Sequence, residues 1–286
     1  MVWITIGFLA LVIIAMYLAV PGGRLWKQYL AEVRCTMDAL PEDSGERFTL
    51  ERMSGLPDLL KKYIINSGYI GNHMMDHMMI RFHKARFGIS RGKKPILVQF
   101  MQVNFAKRPD RHAFLSGRIA GLPLQAKDSV LDGAGSMTGM LAKQFQLFRS
   151  AGAKMDQSQL ITALADAVYM PSLFLQEYVS WRTVDDRTIE GTIRWKSVTG
   201  KGRFTFDPNG DIIRFETNDR YMDENGKGST LTPWYVDYSD YKSQNGYIQP
   251  GAVKASWVLP DGDYTYFESG HIEISYRIKE DDLTIK

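Results

Sequence analysis

Residues 178–217 read YVSWRTVDDRTIEGTIRWKSVTGKGRFTFDPNGDIIRFET. Four runs rich in β-branched and aromatic residues, YVSWRTV, RTIEGTIRW, GRFTFD and DIIRFET, are cut by Asp185-Asp186 and by Asp207-Pro-Asn-Gly210. Such residues suit a pleated, half-buried surface, and Asn-Gly supplies the positive φ that a tight hairpin needs. Connectors this short join antiparallel neighbours. The grammar continues through PWYVDYSDY, AVKASWVL, DYTYFES and HIEISYRI, punctuated by Asp223-Glu-Asn-Gly226 and Pro260-Asp-Gly262. Residues 178–278 therefore read as a series of antiparallel strands.

The pattern begins earlier, near residue 76, with MIRFHKARFGI, PILVQFMQVNFAK, RHAFLSGRIA, LPLQAKDSVL and SMTGMLAKQFQLFRS. One helical stretch, 156–175, separates the two strand regions. Leu160, Leu164, Ala167 and Val168 keep helical spacing, Asp156 with Gln159 forms a capping box, and Met170-Pro171 breaks the run. No βαβ alternation occurs, which argues against a doubly wound fold. The expected fold is mainly β (α+β): a large curled antiparallel sheet, or half-barrel, with the 156–175 helix across its concave face. A closed barrel and a sandwich are the alternatives.

At the other end, MVWITIGFLALVIIAMYLAV has no charged side chain in twenty residues. Val2 to Val20 as a helix covers roughly 28 Å, close to the hydrocarbon thickness of a bilayer. A cleaved signal would want a Lys or Arg before the run and a better small-x-small site than Tyr17 and Ala19 offer. The run reads as a single transmembrane helix over residues 1–22. Arg24, Lys27 and Arg34 follow it, which by the positive-inside rule keeps the rest of the chain cytoplasmic at the cell membrane. Residues 23–55 read as an amphipathic helix and a polar linker. The stripe Leu25/Trp26, Tyr29/Leu30, Val33, Met37 and Leu40 lies either at the lipid headgroups or on the domain. Residues 56–286 form one antiparallel β-rich domain, opened by a short helix after Pro57.

The chemistry of most enzymes and nucleic-acid binders is missing. A net charge of +3 gives no electrostatic support for nucleic acid. One cysteine, Cys35, excludes an intrachain disulfide. No G-x-S-x-G, H-E-x-x-H or Walker A pattern occurs, and Gly133-Ala-Gly-Ser-Met-Thr-Gly139 is too long for a dinucleotide fingerprint. His73, Asp76, His77 and His83 are close in sequence but read as surface or edge residues rather than metal ligands. Asp185-Asp186 reads as an Asx-type turn rather than a catalytic pair. Arg91-Gly-Lys-Lys94 reads as a hairpin tip able to meet anionic headgroups if it faces a membrane. No cofactor or metal is expected.

The ordered motifs Leu56-Pro57-(x5)-Tyr63, Gly133-x-Gly-Ser-Met137, Leu164-Ala-Asp-Ala-Val-Tyr-Met-Pro171, Trp181-(x3)-Asp185, Phe204-x-Phe-Asp207-(x2)-Gly210, Arg220, Pro233-Trp234, Gly246-(x3)-Pro250 and Trp257 resemble a family of functionally uncharacterised bacterial proteins, many with N-terminal membrane segments. The resemblance covers about residues 56–278. Where that family usually carries Glu and Trp ahead of the helix proline, this chain has Asp166 and Tyr169. The resemblance implies no activity and no catalytic residue. At fold level it is similar to lipoprotein-carrier half-barrels, which implies a sheet able to shelter acyl chains.

Together these readings give a non-enzymatic, membrane-anchored domain that binds a lipid or other apolar ligand in the half-barrel. The bilayer is its partner, and Trp181, Trp195, Arg220, Trp234 and Trp257 line the pocket and mouth. Trp181 and Trp195, either side of Asp185-Asp186, are placed to face each other across a hairpin. Arg220 meets a headgroup or forms a surface salt bridge. The alternatives are a structural or protein-interaction domain with a filled core, and a hydrolase gathering Asp166, Asp185 or His73.

Overall fold

The computed structural model describes residues 5–6, 16–17, 22–40, 45–223 and 228–284. The expected transmembrane helix over residues 1–22 lies almost entirely outside them. Among the described residues no helix is long and apolar enough to cross a membrane.

The strand-rich runs form strands almost where the sequence puts them. The first region gives β1 (His77–Phe87), β2 (Ile96–Phe105), β3 (Arg111–Ile119), β4 (Leu122–Leu131), β5 (Ala134–Leu141) and β6 (Phe145–Ala151). The second gives β7 (Val179–Thr183), β8 (Thr188–Trp195), β9 (Val198–Phe206), β10 (Ile212–Thr217), β11 (Tyr221–Asp223) and β12 (Ser229–Leu231). It continues through β13 (Trp234–Gln244), β14 (Tyr247–Trp257), β15 (Tyr264–Ser269) and β16 (Ile272–Tyr276). One antiparallel sheet runs β6-β5-β4-β3-β2-β1-β15-β14-β13-β10-β9-β8-β7, with β16 beside β1 and with β11–β12 as a separate ribbon. β1 changes partner part-way: Met78 to Phe82 pair with β16, and Arg86 and Phe87 with β15. A bulge with Lys84 at φ 50° makes the change. The turns behave as their residues dictate. Asp185 accepts the Arg187 amide at 2.9 Å, an Asx turn, and Asp207 accepts the amides of Gly210 and Asp211 at 2.9 and 2.8 Å.

Helices with described bounds are α1 (Arg24–Asp38), α2 (Asp58–Asn66) and α3 (Ala153–Ala165), with 3₁₀ turns at Asp166–Val168, Pro171–Leu175 and Glu280–Asp282. α3 touches β4, β5 and β6 near one end of the strand order and β8 and β9 near the other. Neighbouring strands lie about 4.8 Å apart, so a flat sheet of this width cannot do that; the sheet curls around the helix. The turns β4–β5 and β8–β9 meet as a result, and Lys196 bonds Asp132 at 2.5 Å. Residues 158–165 of α3 are buried on every side, as a plug in a core must be. Two glycines let it sit close. A Cβ at Gly200 would lie 2.3 Å from Ile161 Cδ1, and one at Gly135 would lie 2.7 Å from the Met155 carbonyl oxygen. α2 docks beside it, with the Tyr63 hydroxyl donating to the Val168 carbonyl at 2.9 Å.

The other, convex face carries α1. Leu25, Tyr29 and Val33 form a second core with Met79, Met101, Val103, Phe105 and Phe114, and Trp26 packs on Phe114 at 5.0 Å. The amphipathic stripe is thus spent on the domain. Two sequence readings need correction. The helix does not start on a capping box: it starts at Ala153 after Gly152, and Asp156 accepts the Gly135 amide at 2.7 Å from the neighbouring strand. From residue 45 on, the stretch read as linker is packed. Phe48 and Met53 are fully buried in the main core, and Phe48 exchanges backbone bonds with Asn72 and Gly71 at 3.0 and 2.8 Å. Two buried apolar side chains in a polar sequence suffice to anchor it.

Candidate functional site

Antiparallel hairpins put the β1–β2, β3–β4, β5–β6 and β14–β15 turns at one end of the sheet. The register brings large apolar residues together there: Phe87 faces Ile96, Ile119 faces Leu122, Leu141 faces Phe145, and Phe87 faces Phe267. Strand parity puts Ile96, Ile119 and Leu122 on the same, concave side as the core residues Val98, Leu115 and Leu124. Phe148, beyond a bulge, is on that side too, since its ring covers Gly139 opposite Ala126. The plug meets this end only beside Arg220, where Gln157 donates to the Asp219 carbonyl at 2.7 Å and the Tyr221 amide donates to the Ser158 hydroxyl at 3.0 Å. Leu122, Phe148 and Phe145 are 39%, 41% and 69% exposed, and Phe87, Ile96, Ile119, Tyr264 and Tyr266 are only partly covered. The half-barrel is therefore filled in depth and apolar at its mouth.

Arg220 sits at the rim of this mouth, on the side of β13 and β14. Arg220 follows β10, and its guanidinium carbon lies 4.1 Å from the centre of the Trp234 ring and 5.1 Å from that of Trp257. The two indoles are direct cross-strand partners. Arg220 Nη1 donates to the Tyr266 hydroxyl at 2.9 Å, and Tyr266 stacks on Trp257 at 6.1 Å. Arg220 Nε and Trp234 Nε1 are buried without a hydrogen-bond partner. Among the described residues no carboxylate pairs with Arg220, so the salt-bridge reading is not what the structure shows. Leaving a buried N–H unsatisfied costs about 1–3 kcal/mol, which an acceptor oxygen of a ligand would recover. A guanidinium packed on aromatic faces is suited to a carboxylate or phosphate.

The remaining predicted residues lie elsewhere. Trp181, on the edge strand β7, donates Nε1–H to the Phe174 carbonyl at 3.0 Å and packs on Phe174 and Phe204. Its partner across the hairpin is Gly191, over which the ring lies. Trp195 pairs with Val198 and packs on Tyr178 and the β4–β5 turn. The two indoles do not face each other: the hairpin pairs symmetrically about Asp186, so Trp181 meets Gly191, and Trp195 lies beyond the start of β7. They belong to the core and to the seam where the β4–β5 and β8–β9 turns meet.

Deeper in, where the plug meets β2, β3 and β4, sequence reasoning missed a polar network. Arg111 donates to Gln102 at 2.7 Å, Asp128 at 2.9 Å, Gln159 at 3.1 Å and Asp166 at 3.1 Å. Gln102 and Asn104 also donate to Asp166, at 2.7 and 3.1 Å. Burial raises the Asp166 carboxyl, against the pull of Arg111, Asn104 and Gln102; Arg111 is raised too, its two carboxylates outweighing its burial. The only advance signal was polar residues at inward strand positions. Asp166, Asp185 and His73 share no cleft. Asp166 belongs to this network, Asp185 to its own turn, and His73 bonds Arg47 at 2.8 Å. Among the described residues no three metal-ligating side chains converge.

The geometry defines a class: a curled antiparallel half-barrel plugged by a helix, with an apolar, arginine-rimmed mouth. Two solved structures follow a similar course. The LolA superfamily protein NE2245 from Nitrosomonas europaea matches with a TM-score of 0.41 at 11% identity, over 80% of this chain and 96% of that one. A domain described as an outer membrane lipoprotein-sorting protein, from Vibrio parahaemolyticus, matches with a TM-score of 0.42 at 9% identity, over 81% and 97%. Likeness at this level concerns the course of the sheet alone. Within the class, the chain belongs to the Family of unknown function (DUF6544), whose profile matches residues 46–269. No protein of curated function matches it in sequence.

Proposed function

We propose that the protein is a non-enzymatic domain, held at the cell membrane by its first twenty residues, that takes up an anionic amphiphile of the fatty-acid or phospholipid kind. The observation that carries this reading is the Arg220 site. It combines a partly buried cation packed on two indoles, an unsatisfied Nε–H, and a strip of half-exposed apolar residues leading away from it. The acyl chain lies along the mouth, over Tyr266, Phe87, Ile96 and Leu122, and the headgroup accepts from Arg220. This differs from a ligand buried in the depth of the half-barrel, which α3 and the 3₁₀ turns already fill. The basic residues after the membrane run, Arg24, Lys27 and Arg34, favour the cytoplasmic side.

The test uses the full chain in phosphatidylcholine nanodiscs titrated with dibromostearate, a quencher of tryptophan. Saturable quenching is expected, lost in Arg220→Met and reduced in Trp257→Phe. Quenching that is absent, or identical in Arg220→Met, refutes the reading. The filled interior favours a second reading, a structural or protein-interaction domain, and a folded protein without quenching selects it.

A further inference from the structure

The end of the sheet that forms the mouth also carries apolar residues on its outer side and along its last strand. Ile89 is 46% exposed, Leu97 63% and Leu147 50%, and they join Leu122, Phe145 and Phe148. Six large apolar side chains at the hairpin ends on one side of the sheet's strand ends are more than scattered surface hydrophobics. Edge strands are normally protected by charge or cover, yet β6 is exposed along nearly its whole length.

What covers this end follows from where the chain leads. At Tyr17, close to the end of the uncharged run, the backbone carbonyl accepts from Lys143 Nζ at 2.6 Å and the hydroxyl accepts from Gln144 at 2.7 Å. Both partners lie in the β5–β6 turn. Five residues on, the Gly22 carbonyl accepts from Gln125 of β4 at 2.9 Å. Tyr17 therefore lies at the β5–β6 turn, beside β6. Met16 is 61% exposed and Ile6 52%. Charge agrees. Arg91, Lys93 and Lys94 of the β1–β2 turn and Arg118 beside the β3–β4 turn surround the apolar tips, with Asp261 and Asp263 of the β14–β15 turn as the nearby acids. Asp261 pairs with Arg91, and Asp263 accepts from Tyr235 at 2.8 Å.

We infer that this end of the sheet docks on an anionic bilayer surface. Leu97, Phe145 and Leu147 enter the headgroup–acyl boundary, and the basic turns meet lipid phosphates. The uncharged run and the hairpin tips then form two contacts with one membrane, and the mouth opens onto the bilayer. The inference rests on membrane attachment as proposed above, and it adds the source of the ligand: a lipid entering sideways from the leaflet.

The experiment uses the full chain in vesicles of phosphatidylcholine and phosphatidylglycerol. With Cys35→Ser as background, the variants Leu97→Cys, Leu147→Cys and Asp186→Cys are each labelled with NBD. Asp186 lies in the β7–β8 turn, at the opposite end of the strands. Labels at 97 and 147 are expected to emit to the blue of the label at 186 and to lose emission when the vesicles contain brominated phosphatidylcholine. Labels at 97 and 147 that behave as the one at 186 overturn the inference. So do labels shielded from iodide but not quenched by brominated lipid, because a second copy or the chain's own N-terminal run then covers the patch. None of the three positions contacts Arg220. Failed quenching with intact dibromostearate uptake therefore overturns the docking alone, and the converse overturns the ligand reading alone.

Discussion

Replacing Glu32 by Gln is expected to loosen α1 from the sheet. Glu32 sits on the buried side of α1 among Lys127, which donates to Oε1, Ser129, which donates to Oε2 at 2.9 Å, and His112, whose Nδ1 lies 3.6 Å away. Burial alone would raise its pKa, but the His112, Lys127 and Ser129 interactions outweigh it and bring the carboxyl from 4.5 down to about 2. At about 1.4 kcal/mol per pH unit, that fall corresponds to roughly 3 kcal/mol of docking energy. Because the docked carboxyl is depressed, this contribution is whole above pH 4.5 and is lost as the pH falls through about 2. Glu32→Gln removes it at neutral pH and leaves Lys127 desolvated without a counter-charge. Local opening of α1 should rise roughly a hundredfold. Hydrogen exchange of the α1 amides measures this, with tryptic cleavage after Lys27 and Arg34 as a second readout. The wild type should also lose α1 protection between pH 4.5 and 2 beyond any loss in the variant. Equal protection at pH 7, or parallel pH curves, would refute the reasoning. The consequence is functional under the proposals above, since α1 is the strut that sets the end of the membrane run beside the β5–β6 turn.

Two further outcomes test the packing. Arg111→Met strands the carboxylates of Asp128 and Asp166 in the interior and is expected to cost about 3–5 kcal/mol, read from the urea midpoint; a shift under about 1 kcal/mol would mean that the network is solvated. Gly202→Ala would place a Cβ 2.1 Å from Cζ of the fully buried Phe215, an overpacking worth about 1–3 kcal/mol. Gly139→Ala meets Phe148 as closely, at 2.2 Å, but that ring is 41% exposed and swings away, so its midpoint should hardly move.

Much of the fold was legible in residues 178–217 and their echoes. The turns at Asp185 and Asp207 formed as their side chains require, because an Asx turn is closed by atoms within a few residues of one another. Trp234 and Trp257 were picked out with Arg220 by residue type, and the structure puts these three together. Trp181 and Trp195 had the same chemistry and equal claim, yet they pack into the core and the seam. Residue type cannot tell these cases apart, because register decides which residue stands opposite which: pairing about Asp186 sets Trp181 over Gly191 and leaves Trp195 beyond the start of β7. Phe145, Leu122 and Ile96 were passed over as ordinary strand residues, since exposure depends on how far the plug extends.

The sequence by itself determined the strands, their antiparallel sense, the single interior helix and the uncharged run at the start. These rest on local periodicity and on turn chemistry, which act over a few residues. Only the tertiary structure decided that the interior is filled, that α1 lies on the convex face through Glu32, and that Arg220 meets two indoles. It alone brought Tyr17 to the β5–β6 turn, at the apolar end of the sheet. Those are relations between residues tens to over a hundred positions apart, and they are set by the curl of one wide sheet around a buried helix, a property that no short stretch of the chain possesses.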